Sequence, residues 1–130
     1  MSNKLTLSEY RMQKAEKLII EAYDNLQYKH FGLSINRSYY AMFTAARAVL
    51  ALKEMDSSKH SGVIALFNLH IVKNNLFSKE ISKYLPKVKD LREDADYGDF
   101  VEITEDDAKV QLARAREFVE EAKKSIKLGI

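Results

Sequence analysis

Three short stretches of this chain carry side chains that could act on a phosphate or a proton. Asn36-Arg37-Ser38-Tyr39-Tyr40-Ala41-Met42-Phe43 sets an arginine beside two tyrosines. A guanidinium is a planar fork of donors that fits a phosphate, and tyrosine rings can stack on bases. Lys59-His60-Ser61-Gly62-Val63-Ile64 puts a lysine and a histidine at the expected start of a helix, where free backbone N–H groups favour anions. His60 titrates near neutrality, so a binding role there would depend on pH. Leu91-Arg92-Glu93-Asp94-Ala95-Asp96-Tyr97-Gly98 spaces Arg92 and Asp96 four residues apart, on one helix face.

Each stretch has a plainer alternative. Arg92 and Asp96 could simply pair at a surface, where such a pair stabilises little. Lys59 could be a solvated residue of a capping segment. Tyr39 and Tyr40 lie on a very apolar helix and read first as core, with at least one hydroxyl hydrogen-bonded at an edge. His70 falls on the inward face of a helix and reads as a core histidine with one hydrogen bond. His30 follows the first helix and can meet terminal carbonyls. The three histidines have no zinc spacing, so no metal site is expected. Asp90, Glu93, Asp94 and Asp96 cluster, as do Glu105, Asp106 and Asp107. Solvated faces and helix-start acids explain both groups more simply than a Mg²⁺ ion does. No Ser-His-Asp spacing, glycine-rich loop or P-loop stands out, and no cofactor is implied.

The elements that must position these residues are helices. A length of 130 residues suits one domain over 1–130, able to bury a core without disulfides. Four glycines and one proline leave little material for the turns of a sandwich or barrel. No cysteine is present, which fits a reducing cytosol, and the N-terminus has no signal-peptide pattern. No apolar run reaches the length of a membrane span, so a cytoplasmic location is expected. The net charge of +2 excludes a broad basic field, and any RNA contact must come from a local site.

Helical spacing predicts a first helix from about Leu7 to Gln27, opened by a Thr6–Glu9 capping box, with Tyr28 to Leu33 as a loop. A second helix should run from Ser34 to about Glu54; being apolar on nearly every side, it belongs at the centre of a bundle. Asp56, Ser57 and Ser58 are N-cap candidates for a third helix, Lys59 to Asn74, with an Asn74–Asn75 turn after it. Ser78 opens a fourth stretch. It either kinks at Pro86 or breaks, with a short turn ending at Leu85 and the main helix starting at Pro86. Thr104 caps the last helix, whose acids come first and lysines last, as the helix dipole favours. Periodicity alone thus gives an all-α, antiparallel up-and-down bundle of four to five helices and no function.

The three stretches, in this order and at these distances, resemble the HEPN domain, specifically its small stand-alone UPF0332-type branch. They look like its R-x-Y-Y-A-x-F, K-H-S-G-V-I and L-R-x-x-A-D-Y segments, and the likeness covers nearly the whole chain. The resemblance implies a five-helix homodimer. It also implies a minimal nucleotidyltransferase as partner in a toxin–antitoxin-like pair. Its active members are metal-independent RNases with an arginine followed four to six residues later by histidine. This sequence departs from that pattern: Asp96 and Tyr97 follow Arg92, and tyrosine and phenylalanine follow Arg37.

The resemblance further implies one dimer cleft that takes Arg37, Tyr40, Lys59, His60, Ser61, Arg92, Asp96 and Tyr97. Arg37, on a helix judged buried, would need a carboxylate, and Asp96 is the expected partner. Three functions follow. The leading one is an interaction or RNA-associated module. The second is a degenerate endoribonuclease using an arginine with Asp96, Tyr97 or His60, its candidate catalytic residues being Arg92, Asp96 and Tyr97. The third is a structural dimer that binds a nucleotide or another anion.

Overall fold

The computed structural model describes residues 3–97 and 102–128, the side chains of Ala95 and Tyr97 apart, and every regular element in them is helical. The helices are α1 (Asn3–Gln27), α2 (Phe31–Ala51), α3 (His60–Phe67), the single turn α4 (Lys79–Ser82), α5 (Tyr84–Tyr97) and α6 (Glu105–Lys127). A wider, π-helical turn over Asn68–Val72 continues α3. No helix among the described residues is long and apolar enough to cross a membrane.

The bundle is built around α2, which touches α1, α3, α5 and α6. Tyr39, Met42, Val49 and Leu50 of α2 are fully buried. Small residues at Ala41, Ala45, Ala46 and Ala48 are buried too and let neighbouring backbones approach. The α1–α2 pair is antiparallel: Ser8 Oγ donates to the Ala48 carbonyl at 2.7 Å, and Ser34 Oγ to the Ala22 carbonyl at 2.8 Å. As the chain number rises along α1, that of its α2 partner falls. The rings of Phe67, Phe77 and Phe118 pack together in the core, with Phe77–Phe118 centroids 4.8 Å apart.

The glycine-poor chain ends three elements with the same device. Lys29, Glu54 and Asn75 adopt left-handed backbone (φ 63°, 56° and 61°). The following N–H then reaches five residues back, as in His30 N→Asn25 O, Met55 N→Leu50 O and Leu76 N→Ile71 O. This is the six-to-one closure that glycine usually serves. The Asn75 closure agrees with the expected turn; those at Lys29 and Glu54 carry no glycine or asparagine signal.

Several expected boundaries move. Helix α1 is already formed at Asn3, so Thr6 lies inside it and does not cap it. The Tyr28–Leu33 loop shrinks to three residues, because α2 starts at Phe31 and Ser34 serves as a tether to α1. Asp56, Ser57 and Ser58 do not cap α3; its N-cap is Lys59, without a side-chain bond. The break before α5 falls at Lys83, which leaves Pro86 in the first turn of α5, where its missing N–H costs nothing. Thr104 caps α6 in a reciprocal box with Asp107, as its sequence suggests. His70 is only half-buried, because the π-helical turn turns Ile71 and Val72 inward together.

Asp56 gathers α1, α2 and the approach to α3. Its carboxylate accepts from Arg11 Nη2 at 3.0 Å, from Arg47 Nη2 at 2.8 Å and Nε at 3.2 Å, and from the Ser57 N–H at 2.9 Å. Arg47 leads the causes that hold this carboxyl down to about 2. A depressed carboxylate contributes stability above its ordinary pKa, and the contribution is lost as pH falls through the folded value. Asp56→Asn is expected to cost about 1 kcal/mol at neutral pH, the scale of a solvent-screened ion-pair cluster. Its urea-measured stability should fall less steeply than wild type between pH 3.8 and about 2. Glu54→Gly should raise stability by about 1 kcal/mol, by relieving the left-handed backbone; thermal denaturation reads it.

Candidate functional site

The site is assembled where α2, the start of α3 and the second half of α5 meet. Asp56 anchors the α3 approach, and Ser57 Oγ then accepts from the Lys59 N–H at 3.2 Å. Gly62 leaves room for that serine: a Cβ there would lie 2.1 Å from Ser57 Oγ and 2.9 Å from Ser57 Cβ. This packing explains why glycine follows Lys59-His60-Ser61, and it aims His60 at α2.

His60 Nδ1 lies 2.8 Å from the Tyr39 hydroxyl. Its ring packs on Phe43 at 4.2 Å between centroids, and Tyr39 and Tyr40 each lie 5.8 Å away. Tyr39 and Tyr40 meet edge to face at 5.0 Å. The Arg92 guanidinium sits over both tyrosine rings, its Cζ 5.1 Å from the Tyr39 centroid and 5.6 Å from that of Tyr40. Such contacts are worth about 1–2 kcal/mol when partly desolvated. Arg92 Nη1 donates to the Tyr40 hydroxyl and to Asp96 Oδ2, both at 3.4 Å. These are long bonds. Its Nε is buried without a partner among the described residues.

The electrostatics follow from this crowding. Burial pushes the Tyr39 phenol up to about 12, so it keeps its proton. Burial, then the nearby cations Arg92, Lys89 and Arg47, push His60 below its usual value, with Glu93 opposing them. A neutral imidazole therefore stands next to a permanent cation at neutral pH. The arrangement can hold an anion through directional donors. No group of three or more His, Asp or Glu side chains that could hold a metal ion occurs among the described residues.

The expected cleft residues divide. Tyr40, His60, Arg92 and Asp96 come together. Lys59 and Ser61 flank His60 on the exposed side of the α3 start. Arg37 departs from expectation twice. It is half-exposed, on the outer stripe of α2, and its Nε pairs with Glu21 at 3.3 Å while Nη1 donates to Asn36 Oδ1 at 2.8 Å. Asn36 takes the expected place beside Asp96, its Nδ2 donating to Oδ2 at 3.4 Å. Tyr97 ends α5, and its side chain lies outside the described residues. Tyr39, read first as core, and Phe43 form the floor of the site. The available signal was the Tyr39 hydroxyl itself: a polar atom on an all-round apolar helix must find a partner.

Over residues 8–126 the sequence matches the family model described as HEPN domain. The chain belongs to that family. A UPF0332 protein of Thermotoga maritima is 33% identical over 126 residues, covering 97% of this HEPN chain and 96% of that protein. Another UPF0332 protein, from Archaeoglobus fulgidus, is 36% identical over 118 residues, 91% of this chain and 94% of that one. A Methanocaldococcus jannaschii protein bearing the name putative toxin is 34% identical over 117 residues, 89% and 79% of the two chains. This HEPN domain is thus of the UPF0332 type, as its three motifs suggest.

Gly62→Ala should displace Ser57 and with it the start of α3. The expected cost is about 1–3 kcal/mol, typical of an overpacked contact, together with a shifted His60 ring signal in NMR spectra.

Proposed function

We propose that this chain is an RNA-associated module of the toxin type. It acts as one domain over residues 1–130, forms a homodimer, and works with a minimal nucleotidyltransferase in the cytoplasm without a cofactor. The observation that carries the reading is the Arg92 guanidinium, mounted on Tyr39 and Tyr40 beside a neutral His60 and making two long hydrogen bonds among the described residues. A phosphodiester is the ligand such a fork fits, since bidentate guanidinium–phosphate contacts are directional as well as charged. Tyrosine faces beside it suit a neighbouring base. Membership of the HEPN family and the toxin names of two relatives support the same reading.

The dimer would bring two such clusters to one cleft, with Tyr97 and the exposed Lys59 and Ser61 at its rim. Near-neutral overall charge makes the local cluster the determinant, so a single substitution has leverage.

The direct test is fluorescence anisotropy with a short, labelled, single-stranded RNA of mixed sequence. Arg92→Ala is expected to weaken binding by about ten-fold or more, and Arg92→Lys to recover only part of it. Binding unaffected by Arg92→Ala would sink the reading. RNA incubated with metal-free protein should stay intact; cleavage abolished by Arg92→Ala would replace this reading with the endoribonuclease one. Affinity purification from the native cell should bring down a nucleotidyltransferase, and light scattering should give twice the chain mass.

A further inference from the structure

The Tyr39–His60 contact decides more than the orientation of a ring. Tyr39 is fully buried, and among the described residues His60 Nδ1 is the one hydrogen-bond partner of its hydroxyl. A buried hydroxyl proton needs an acceptor. If Nδ1 carried the imidazole proton and donated it to the phenol oxygen, the phenol proton would be left to point among aromatic rings beside the Arg92 cation. The reverse arrangement satisfies both groups: the phenol donates and Nδ1 accepts. An imidazole whose Nδ1 accepts, and which stays neutral, carries its proton on Nε2.

We infer that Tyr39 is a positioning residue that locks His60 into the Nε2–H tautomer, so that His60 and Arg92 act together as hydrogen-bond donors to one phosphate group. His60 is half-buried, so its ring remains in reach of a ligand from the exposed side of the α3 start. The two side chains flank the same pair of tyrosine rings. A consequence follows for chemistry. Both ring nitrogens are committed, one as acceptor from Tyr39 and the other as donor to the ligand. Neither is free to take a proton from a ribose hydroxyl, so the cluster holds RNA without cleaving it. The charged and titratable groups that bear on the ring are Tyr39, Tyr40 and Arg47 of α2 and Lys89, Arg92 and Glu93 of α5. The cations among them oppose protonation of His60 and so favour the locked, neutral form.

The inference rests on the phosphate-binding reading above, yet its first test needs no ligand. Long-range ¹⁵N–¹H correlation spectra of the full chain at neutral pH should show His60 with a protonated Nε2 and an unprotonated, hydrogen-bonded Nδ1. Tyr39→Phe, with helix content checked by circular dichroism, should shift that pattern toward a mixture of tautomers. A wild-type spectrum with the proton on Nδ1, or already a mixture, overturns the inference whatever RNA does.

The second test uses the same labelled RNA. His60→Ala should lose about ten-fold in affinity, as expected for one hydrogen bond to a charged acceptor. His60→Gln, which keeps an N–H donor but has no titratable ring, should bind within about two-fold of wild type, because that hydrogen bond is kept. If glutamine loses as much as alanine, the donor role is wrong even though RNA binds. If wild type shows the locked tautomer and binds no RNA, the phosphate-binding reading fails and the joint donor role falls with it, while the tautomer assignment stands.

Discussion

Helix α2 is enclosed by α1, α3, α5 and α6, and several polar groups along it are answered from within the bundle. Ser34 is answered by a carbonyl of α1, Tyr39 by His60 of α3, Tyr40 by Arg92 of α5, and Arg47 by Asp56 of the loop before α3. These bonds do what apolar packing alone does not. The hydrophobic driving force is non-directional, whereas a hydrogen bond is lost within about an ångström. The polar answers around α2 therefore add direction to the packing that fixes the register of the bundle. Two of them, at Tyr39 and Tyr40, converge on the candidate site.

That convergence gives single residues a structural and a site role at once. Tyr39 is at once a core side chain and the partner that orients His60. Arg92 covers two aromatic rings while keeping donor capacity. Its buried Nε, without a partner among the described residues, is a cost that a stability-only design would avoid. Asp56 is remote from phosphate chemistry, yet it pins the segment that carries His60 against α1 and α2. A defect in that clasp would reach the site through Ser57 and Gly62.

The aromatic floor also bears on the departure from the family's arginine–histidine motif. The chain has no histidine on α5 after Arg92, but folding brings one from α3 to the same rings. Proximity does not restore the same chemistry. A histidine held from behind by a protonated phenol differs from one free to exchange protons, and the phenol at about 12 stays protonated throughout the physiological range.

Composition and periodicity were enough for the helical class, the central place of α2 and the capped start of α6, because helix propensity, apolar spacing and caps are local properties. The three motif segments were legible for the same reason. The sequence also pointed to His60, Arg92 and Asp96 as residues of interest. It misjudged Arg37: α2 is apolar on most sides, but Leu33, Arg37 and Tyr40 form a stripe left partly open, and Glu21 on α1 is the nearer carboxylate. It did not show the left-handed closures at Lys29 and Glu54 or the π-helical turn that turns His70 partly outward, since neither residue type announces them. Above all, no local rule links Tyr39 to His60, twenty-one residues apart across a loop. That bond exists because tertiary packing buries the phenol and the Asp56–Ser57–Gly62 segment delivers the imidazole to it. Sequence determined which side chains could do chemistry; the packing of α3 and α5 on α2 decided which of them meet.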